Sequence, residues 1–299
     1  MRLRFSQTVN NLVVFCCSRP FIHTFGVFVT RRPFDQVAMS IGVPNLPVRL
    51  LGFLPGLTTP GGVTHQAIDD VALMRSIPNM RILEVGDATE IESVLDIANS
   101  IDGPVYIRML RGEVPRLFPQ HSQMKLGVAR LLSDSSSCLS RDSDVAIVTC
   151  GICTEEALKA RDMIQSSDVS ILHVHLSTLI PFPADVIMSA CNMVKFGIIT
   201  MENHSIVGGV GSAVAEVLAE HAVPKPLIRL GVSSGTYCHG ASREYLVREN
   251  GFDAFALIRA IERLVHRTLT DDWVVGAGNG SHSIPRDDPA NRTERPEDL

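Results

Sequence analysis

Residues 1–34 contain no Asp or Glu, and the first acidic side chain is Asp35. Long apolar runs are also missing. None approaches the ~18 residues of a membrane-spanning helix, which argues against a membrane partner. Nor is there an excess of base: 27 Lys and Arg stand against 32 Asp and Glu, a net charge of -5. Such a chain has no electropositive field with which to hold nucleic acid. Seven cysteines, scattered along the chain, exclude a disulfide framework and suit a reducing, cytoplasmic setting. None has the spacing of a metal-ligand set. Cys150-Gly-Ile-Cys153 lies between a predicted strand and a predicted helix, where redox pairs occur. The preferred alternative makes Cys150 a buried strand end and Cys153 a space-filler.

What is present suits a globular chain with real cores. The composition is 45% hydrophobic and 20% charged, and 299 residues fit one large domain or two ordinary ones. In segment 1–17, Arg2 and Arg4 precede a short apolar run at 12–17. That run is shorter than most signal-peptide cores. The segment fits a transit peptide or a start placed downstream of the true one, and the second reading is preferred.

Strand and helix patterns alternate from residue 47 onward. Strands are predicted at 47–54, 81–85 and 105–109, and helices at 65–76 and 88–100, the latter capped by Asp87. A polar stretch, 119–143, reads as a linker. A second series follows, with strands at 144–149, 169–176, 197–201 and 226–230. Its helices fall at 154–164, after Pro183, and at 211–221, 242–249 and 254–265. This alternation predicts an α/β fold of two doubly wound parallel-sheet domains, 18–118 and 144–267. The polar, aperiodic tail 268–299 is expected to be disordered. Sequons at Asn203, Asn279 and Asn291 carry little weight without a secretory signal.

Four runs could carry chemistry. In Thr24-Phe25-Gly-Val-Phe28-Val-Thr-Arg31-Arg32, two phenylalanines beside paired arginines make either an aromatic wall next to an anion site or a core pair with solvated arginines. A glycine-rich run from Gly52 to Gln66 leaves a buried strand, the place where α/β sheets bind ligands. In it, His65 either polarises a substrate oxygen or serves as a structural histidine. Arg108 and Arg111 end a strand and could hold phosphate, or either could be an ordinary surface residue. Glu202 to Gly211 leads from strand to helix through glycines; it is a poor dinucleotide fingerprint and reads as mainly structural.

Together these runs resemble the transketolase family. The likeness spans about residues 18–265 and is densest in Thr24–Gln36, Gly52–Glu84 and Gly103–Arg111. Gly-Val-Thr64-His65-Gln66, followed by Leu73-Met-Arg-Ser-Ile-Pro-Asn79-Met, is specific as a set. The form is most similar to the second chain of a split bacterial transketolase. The resemblance implies an incomplete pyrimidine-binding domain, then the family's C-terminal domain. It implies thiamine diphosphate, with magnesium held by a partner chain that carries the diphosphate-binding domain. It also implies self-association and a sugar-phosphate substrate. Phe25 and Phe28 would wall the pyrimidine pocket. Arg31 would stand where conventional transketolases place a further aromatic. His65 would face the substrate, and Arg111 would grip its phosphate.

Three departures qualify this. The family's cofactor-activating glutamate should precede Arg19 by roughly one and a half dozen residues, a stretch that here holds no acid. The strand and helix expected before it are absent, which would leave the first sheet short of a strand. Phe53 and Gly61 replace a histidine and an aspartate that contact substrate hydroxyls. The resemblance therefore predicts a transketolase subunit that is inactive or nearly so as written, either because the true start lies upstream or because the chain is a remnant. Two alternatives are a non-catalytic pseudo-subunit and the β-subunit of a 2-oxoacid dehydrogenase.

Overall fold

A computed structural model describes residues 18–132, 143–233 and 239–269. The expectations for segment 1–17 and for most of the tail lie outside the described residues. The described residues up to Arg267 belong to one compact unit.

The strands in chain order are β1 (Phe21–Phe25), β2 (Arg49–Phe53), β3 (Arg81–Glu84), β4 (Val105–Met109), β5 (Arg130–Leu131), β6 (Ser143–Thr149), β7 (Ile171–His175), β8 (Thr178–Ile180), β9 (Val194–Ser205) and β10 (Leu227–Val232). They form two five-stranded sheets, β1-β2-β4-β3-β8 and β10-β9-β6-β7-β5. Each is parallel except for one antiparallel edge strand, β8 against β3 and β5 against β7. The α/β class with two parallel-dominated sheets is thus as the sequence predicts. The two short edge strands are additions, and they lace the halves together. β8 follows β7 in the chain yet completes the first sheet, while β5, within the polar stretch 119–143, completes the second.

Strand alternation sends Leu50, Ile82 and Tyr106 into one core, and Leu51, Leu83, Val105 and Ile107 into another. Covered on both faces, these strands read as nearly continuous apolar runs. The helices are α1 (Gly26–Val29), α2 (Phe34–Val37), α3 (Asp70–Arg75), α4 (Ala88–Ser100), α5 (Cys153–Met163), α6 (Ala184–Asn192), α7 (Val210–Glu220), α8 (Arg243–Glu249) and α9 (Ala254–Val265). A π turn, Ala38–Gly42, extends α2. Asp87 caps α4 by accepting from the Glu90 N–H at 2.8 Å, and Asp253 caps α9 from the Ala256 N–H at 2.9 Å. The helix predicted over 65–76 is shorter than expected, because α3 starts only at Asp70. Residues before it are spent elsewhere: Ala67 C=O accepts from Gly56 N–H at 2.9 Å, and Ile68 C=O from Ser205 N–H at 2.7 Å.

A buried polar cluster joins α4 to β5, to β7 and to Ser177 just before β8. Glu90 accepts from Gly86 N–H at 2.9 Å, from Ser177 Oγ and from Arg130 Nε at 2.9 Å, and one of its oxygens lies 3.1 Å from His175 Nε2. His175 Nδ1 continues the chain to Thr154 Oγ1 at 2.6 Å. Burial alone would raise the Glu90 carboxyl. The His175 imidazole and the hydrogen bonds from His175, Ser177 and Gly86 outweigh burial and hold it down at about 2, from 4.5. A depressed carboxylate contributes stability that is complete above pH 4.5 and is lost as pH falls toward about 2. The contribution is on the order of 3 kcal/mol. The Glu90→Gln variant should be less stable at neutral pH and should lose less stability between these limits. Urea melts across that range check this; parallel curves for parent and variant would refute it.

Candidate active site

The C-terminal ends of β1, β2 and β4 open onto one cleft of about 580 Å³, lined by His23, Thr24, Phe25, Phe28, Phe53 and Arg111. Parallel register sets its floor, with Phe25 opposite Phe53 and Phe53 opposite Met109. The Phe25 and Phe28 rings are tilted at 5.6 Å between centroids. Of the two readings of that pair, an aromatic wall agrees with its position, since both rings are only partly buried and line the cleft. His65 stands beside both, its ring 5.5 Å from Phe25 and 5.2 Å from Phe28. Its Nδ1 is 2.8 Å from Thr64 Oγ1, which leaves Nε2 for another partner. Arg111 is exposed, with its guanidinium 5.9 Å from the Phe25 centroid. The structure thus gathers Phe25, Phe28, His65 and Arg111, which lie between positions 25 and 111 of the chain.

Arg31 is placed differently. It does not line the cleft. Its guanidinium grips Asp69, with Nε to Oδ2 at 2.9 Å and Nη2 to Oδ1 at 2.7 Å, and also donates to Gln66 C=O. It braces the end of the loop that carries His65. Arg32, the second of the paired arginines, lies 4.0 Å over the Phe28 ring.

The His65 loop is shaped from the other half of the chain. Asn203 Oδ1 accepts from Leu57 N–H at 2.8 Å, its Nδ2 donates to Pro55 C=O, and Gln66 Nε2 donates to His239 C=O at 3.2 Å. Gly56 sits at φ +64°, and a Cβ there would fall 2.2 Å from Asn203 C=O, so no other residue fits this turn.

Arg108, one of the two candidate phosphate ligands, is buried. It donates to both oxygens of Asp70 at 2.8 and 3.2 Å, to Glu84 Oε1 at 2.6 Å and to Asn203 C=O at 3.0 Å. Tyr106 OH also donates to Asp70, at 2.6 Å. Burial would lower the Arg108 pKa, but Asp70 and Glu84 keep it well above its usual value. Arg108 is a tie between sheets, and Arg111 alone of the pair faces the cleft. The run 202–211 is structural in the same sense. Glu202 accepts from Val210 and Gly211 N–H at 2.7 and 2.8 Å, so a carboxylate of this chain already fills the amino end of α7. Burial pushes that carboxyl up to about 7 against those hydrogen bonds. Cys150 and Cys153 are buried free thiols that burial raises well above the usual range, which does not suit redox chemistry. Asn203 of the first sequon is buried.

An aromatic-walled cleft at the carboxyl ends of parallel strands is the place where α/β proteins hold cofactors and substrates. Comparison with known proteins sharpens this. Residues 16–116 match the family model of the transketolase pyrimidine-binding domain, and residues 136–254 that of the transketolase C-terminal domain. The 6-deoxy-6-sulfo-D-fructose transketolase subunit SqwH of Clostridium sp. (strain MSTE9) is 35% identical over 253 residues, 83% of this chain and 74% of the relative. A subunit of the apulose-4-phosphate transketolase of Actinobacillus succinogenes is 29% identical over 232 residues, 77% and 72% of the two chains. Among solved structures, a split-gene transketolase described as an inactive β4 tetramer superposes with a TM-score of 0.77 at 31% identity, covering 88% of this chain and 82% of that one. The transketolase of Campylobacter jejuni, at 14% identity and a TM-score of 0.67, shares the fold, and this chain spans 38% of its length. The chain belongs to the transketolase family, and membership implies thiamine diphosphate dependence.

Proposed function

We propose that this chain is the second subunit of a two-chain transketolase, which transfers a two-carbon ketol unit between sugar phosphates. The observation that carries this reading is the aromatic cleft lined by Phe25, Phe28 and Arg111, with His65 beside both rings. Phe25 and Phe28 fit the flat pyrimidine end of thiamine diphosphate, and when bound that cofactor supplies the nucleophilic carbon. Among the described residues no group of three His, Cys, Asp or Glu could hold the magnesium that accompanies its diphosphate. We assign those to a partner chain with the diphosphate-binding domain, as the relatives named as subunits suggest. In this reading residues 18–118 are the pyrimidine-binding domain and 144–267 the C-terminal domain.

The chain's own residues divide the remaining work. His65, its Nδ1 taken by Thr64, presents Nε2 to a substrate oxygen and steadies charge that develops there. Arg111 pairs with the phosphate of the sugar. Arg31 holds the His65 loop through Asp69. One observation supports a second reading, a non-catalytic subunit: none of the described residues lining the cleft is a carboxylate that could accept a hydrogen bond from the aminopyrimidine ring. Mixing the chain with a subunit that carries the diphosphate-binding domain, plus cofactor, magnesium, a ketose phosphate and an aldose phosphate, separates the two. Ketol transfer above that of either chain alone supports the enzyme; a stable complex without transfer supports the pseudo-subunit.

A further inference from the structure

The loop that carries His65 is pinned at its base by one side chain from the second sheet. That loop runs from Gly56 to Ala67, and its ends meet: Gly56 N–H donates to Ala67 C=O at 2.9 Å. Asn203, on β9, brackets Gly56 from both sides. Its Oδ1 accepts from Leu57 N–H at 2.8 Å, and its Nδ2 donates to Pro55 C=O at 3.2 Å. A side-chain amide carries both the acceptor and the donor that these two neighbours of Gly56 require. Asn203 is itself held, since its backbone C=O accepts from Arg108 Nη2 at 3.0 Å. Two residues on, Ser205 N–H donates to Ile68 C=O at 2.7 Å, so β9 grips the loop near its exit as well as at its entry. Inside the loop, Thr58 donates to Pro55 C=O, Thr59 accepts from Gly61 N–H and Thr64 pairs with His65 Nδ1. These hydroxyls are engaged within the loop, and His65 Nε2 is the group it presents beside the aromatic rings.

We propose that Asn203 is a positioning residue for His65: it sets the entry of the loop and thereby aims the imidazole at the substrate. The inference rests on reading His65 as the group that meets a substrate oxygen. Asn203 is buried with both ends of its amide engaged, so it acts through the backbone of the loop and not on the substrate. Other supports lie on the far side of His65: Gln66 Nε2 donates to His239 C=O, and Arg31 holds Gln66 C=O and Asp69. The entry side depends on Asn203. Gly56 leaves no room for a Cβ against the Asn203 backbone, so the two chains touch directly there. Asn203→Ala strips Leu57 N–H and Pro55 C=O of their partners and lets that entry drift. A misplacement of about 1 Å at a reacting group can cost about 10²-fold in rate.

Hydrogen exchange on the chain alone and ketol transfer by the assembled two-chain enzyme, with thiamine diphosphate and magnesium, test this together. Asn203→Ala should speed amide exchange across 56–67 and leave α9 as protected as in the parent. In the assembled enzyme it should lower kcat about tenfold with KM for the ketose phosphate unchanged, because Arg111 is untouched. The deciding comparison is a double-mutant cycle. In a His65→Ala background, Asn203→Ala should change kcat by less than about twofold, since no imidazole is left to aim. An equal loss in both backgrounds would make Asn203 a purely structural support and overturn the proposal. So would a parent-level kcat for Asn203→Ala, which would leave the function reading intact. If Asn203→Ala does not fold, Asn203→Asp enters the same cycle with the same criteria; it keeps the shape and the acceptor for Leu57 N–H but loses the donor to Pro55. Absence of transfer by the parent assembly would remove the reading of His65 and this role with it.

Discussion

The Arg108→Met variant should be about 3–5 kcal/mol less stable than the parent chain, enough to leave much of it unfolded at moderate temperature. Methionine fills most of the arginine volume, so the loss is electrostatic rather than a cavity. Without the guanidinium, Asp70 and Glu84 are two buried carboxylates with no cation between them, and Asn203 C=O loses its donor. Among the described residues Glu84 Oε2 has no hydrogen-bond partner, so this acid has little with which to compensate. Denaturant melts of both proteins at neutral pH provide the measurement. A difference under about 1 kcal/mol at neutral pH would show that the tie between sheets is neutral in its net effect, as buried ion pairs sometimes are relative to apolar side chains.

His65→Ala should lower kcat/KM for ketol transfer in the assembled two-chain enzyme by about 10²–10⁴, the range expected when a positioned imidazole is removed. The ring stands beside both Phe25 and Phe28, and Thr64 engages its Nδ1, which leaves Nε2 for the substrate. Replacement by asparagine, which keeps a donor at shorter reach, should retain more activity than alanine. The same substitution should leave assembly with the partner and the thermal midpoint nearly unchanged, since His65 is only partly buried and lies in a loop. A loss smaller than about threefold in kcat/KM would remove His65 from the chemistry and leave it as a filler of the aromatic wall.

Local signals in the sequence are informative where neighbours in the chain decide the outcome. The helix 88–100 and its Asp87 cap, and the strand 105–109, are found as expected, because a cap and a period are read within a few residues. β5 and β8 leave no such signal, being two and three residues long and existing only through pairing with strands far away. The start of α3 differs from expectation for the same reason: residues 67 and 68 look helical but bond to Gly56 and Ser205. Arg108 and Arg111 are indistinguishable as two basic residues at a strand end. Only the approach of Asp70 and Glu84 buries one and leaves the other at the cleft. The Glu90 cluster is invisible in the sequence, since Glu90 and His175 lie 85 positions apart and neither belongs to a motif.

The bonds from Asn203, Ser205 and His239 to the loop between Pro55 and Ile68 bear on how a gene for this fold can be divided. A break inside 119–143 would put the histidine loop on one polypeptide and its mould on another, and would also part β8 from the sheet that it completes. Each active centre would then wait on a bimolecular encounter before its loop took shape, and expression of the two pieces would have to be matched. The polar stretch between the sheets, which looks the most permissive place for a chain break, is for that reason a poor boundary between cistrons.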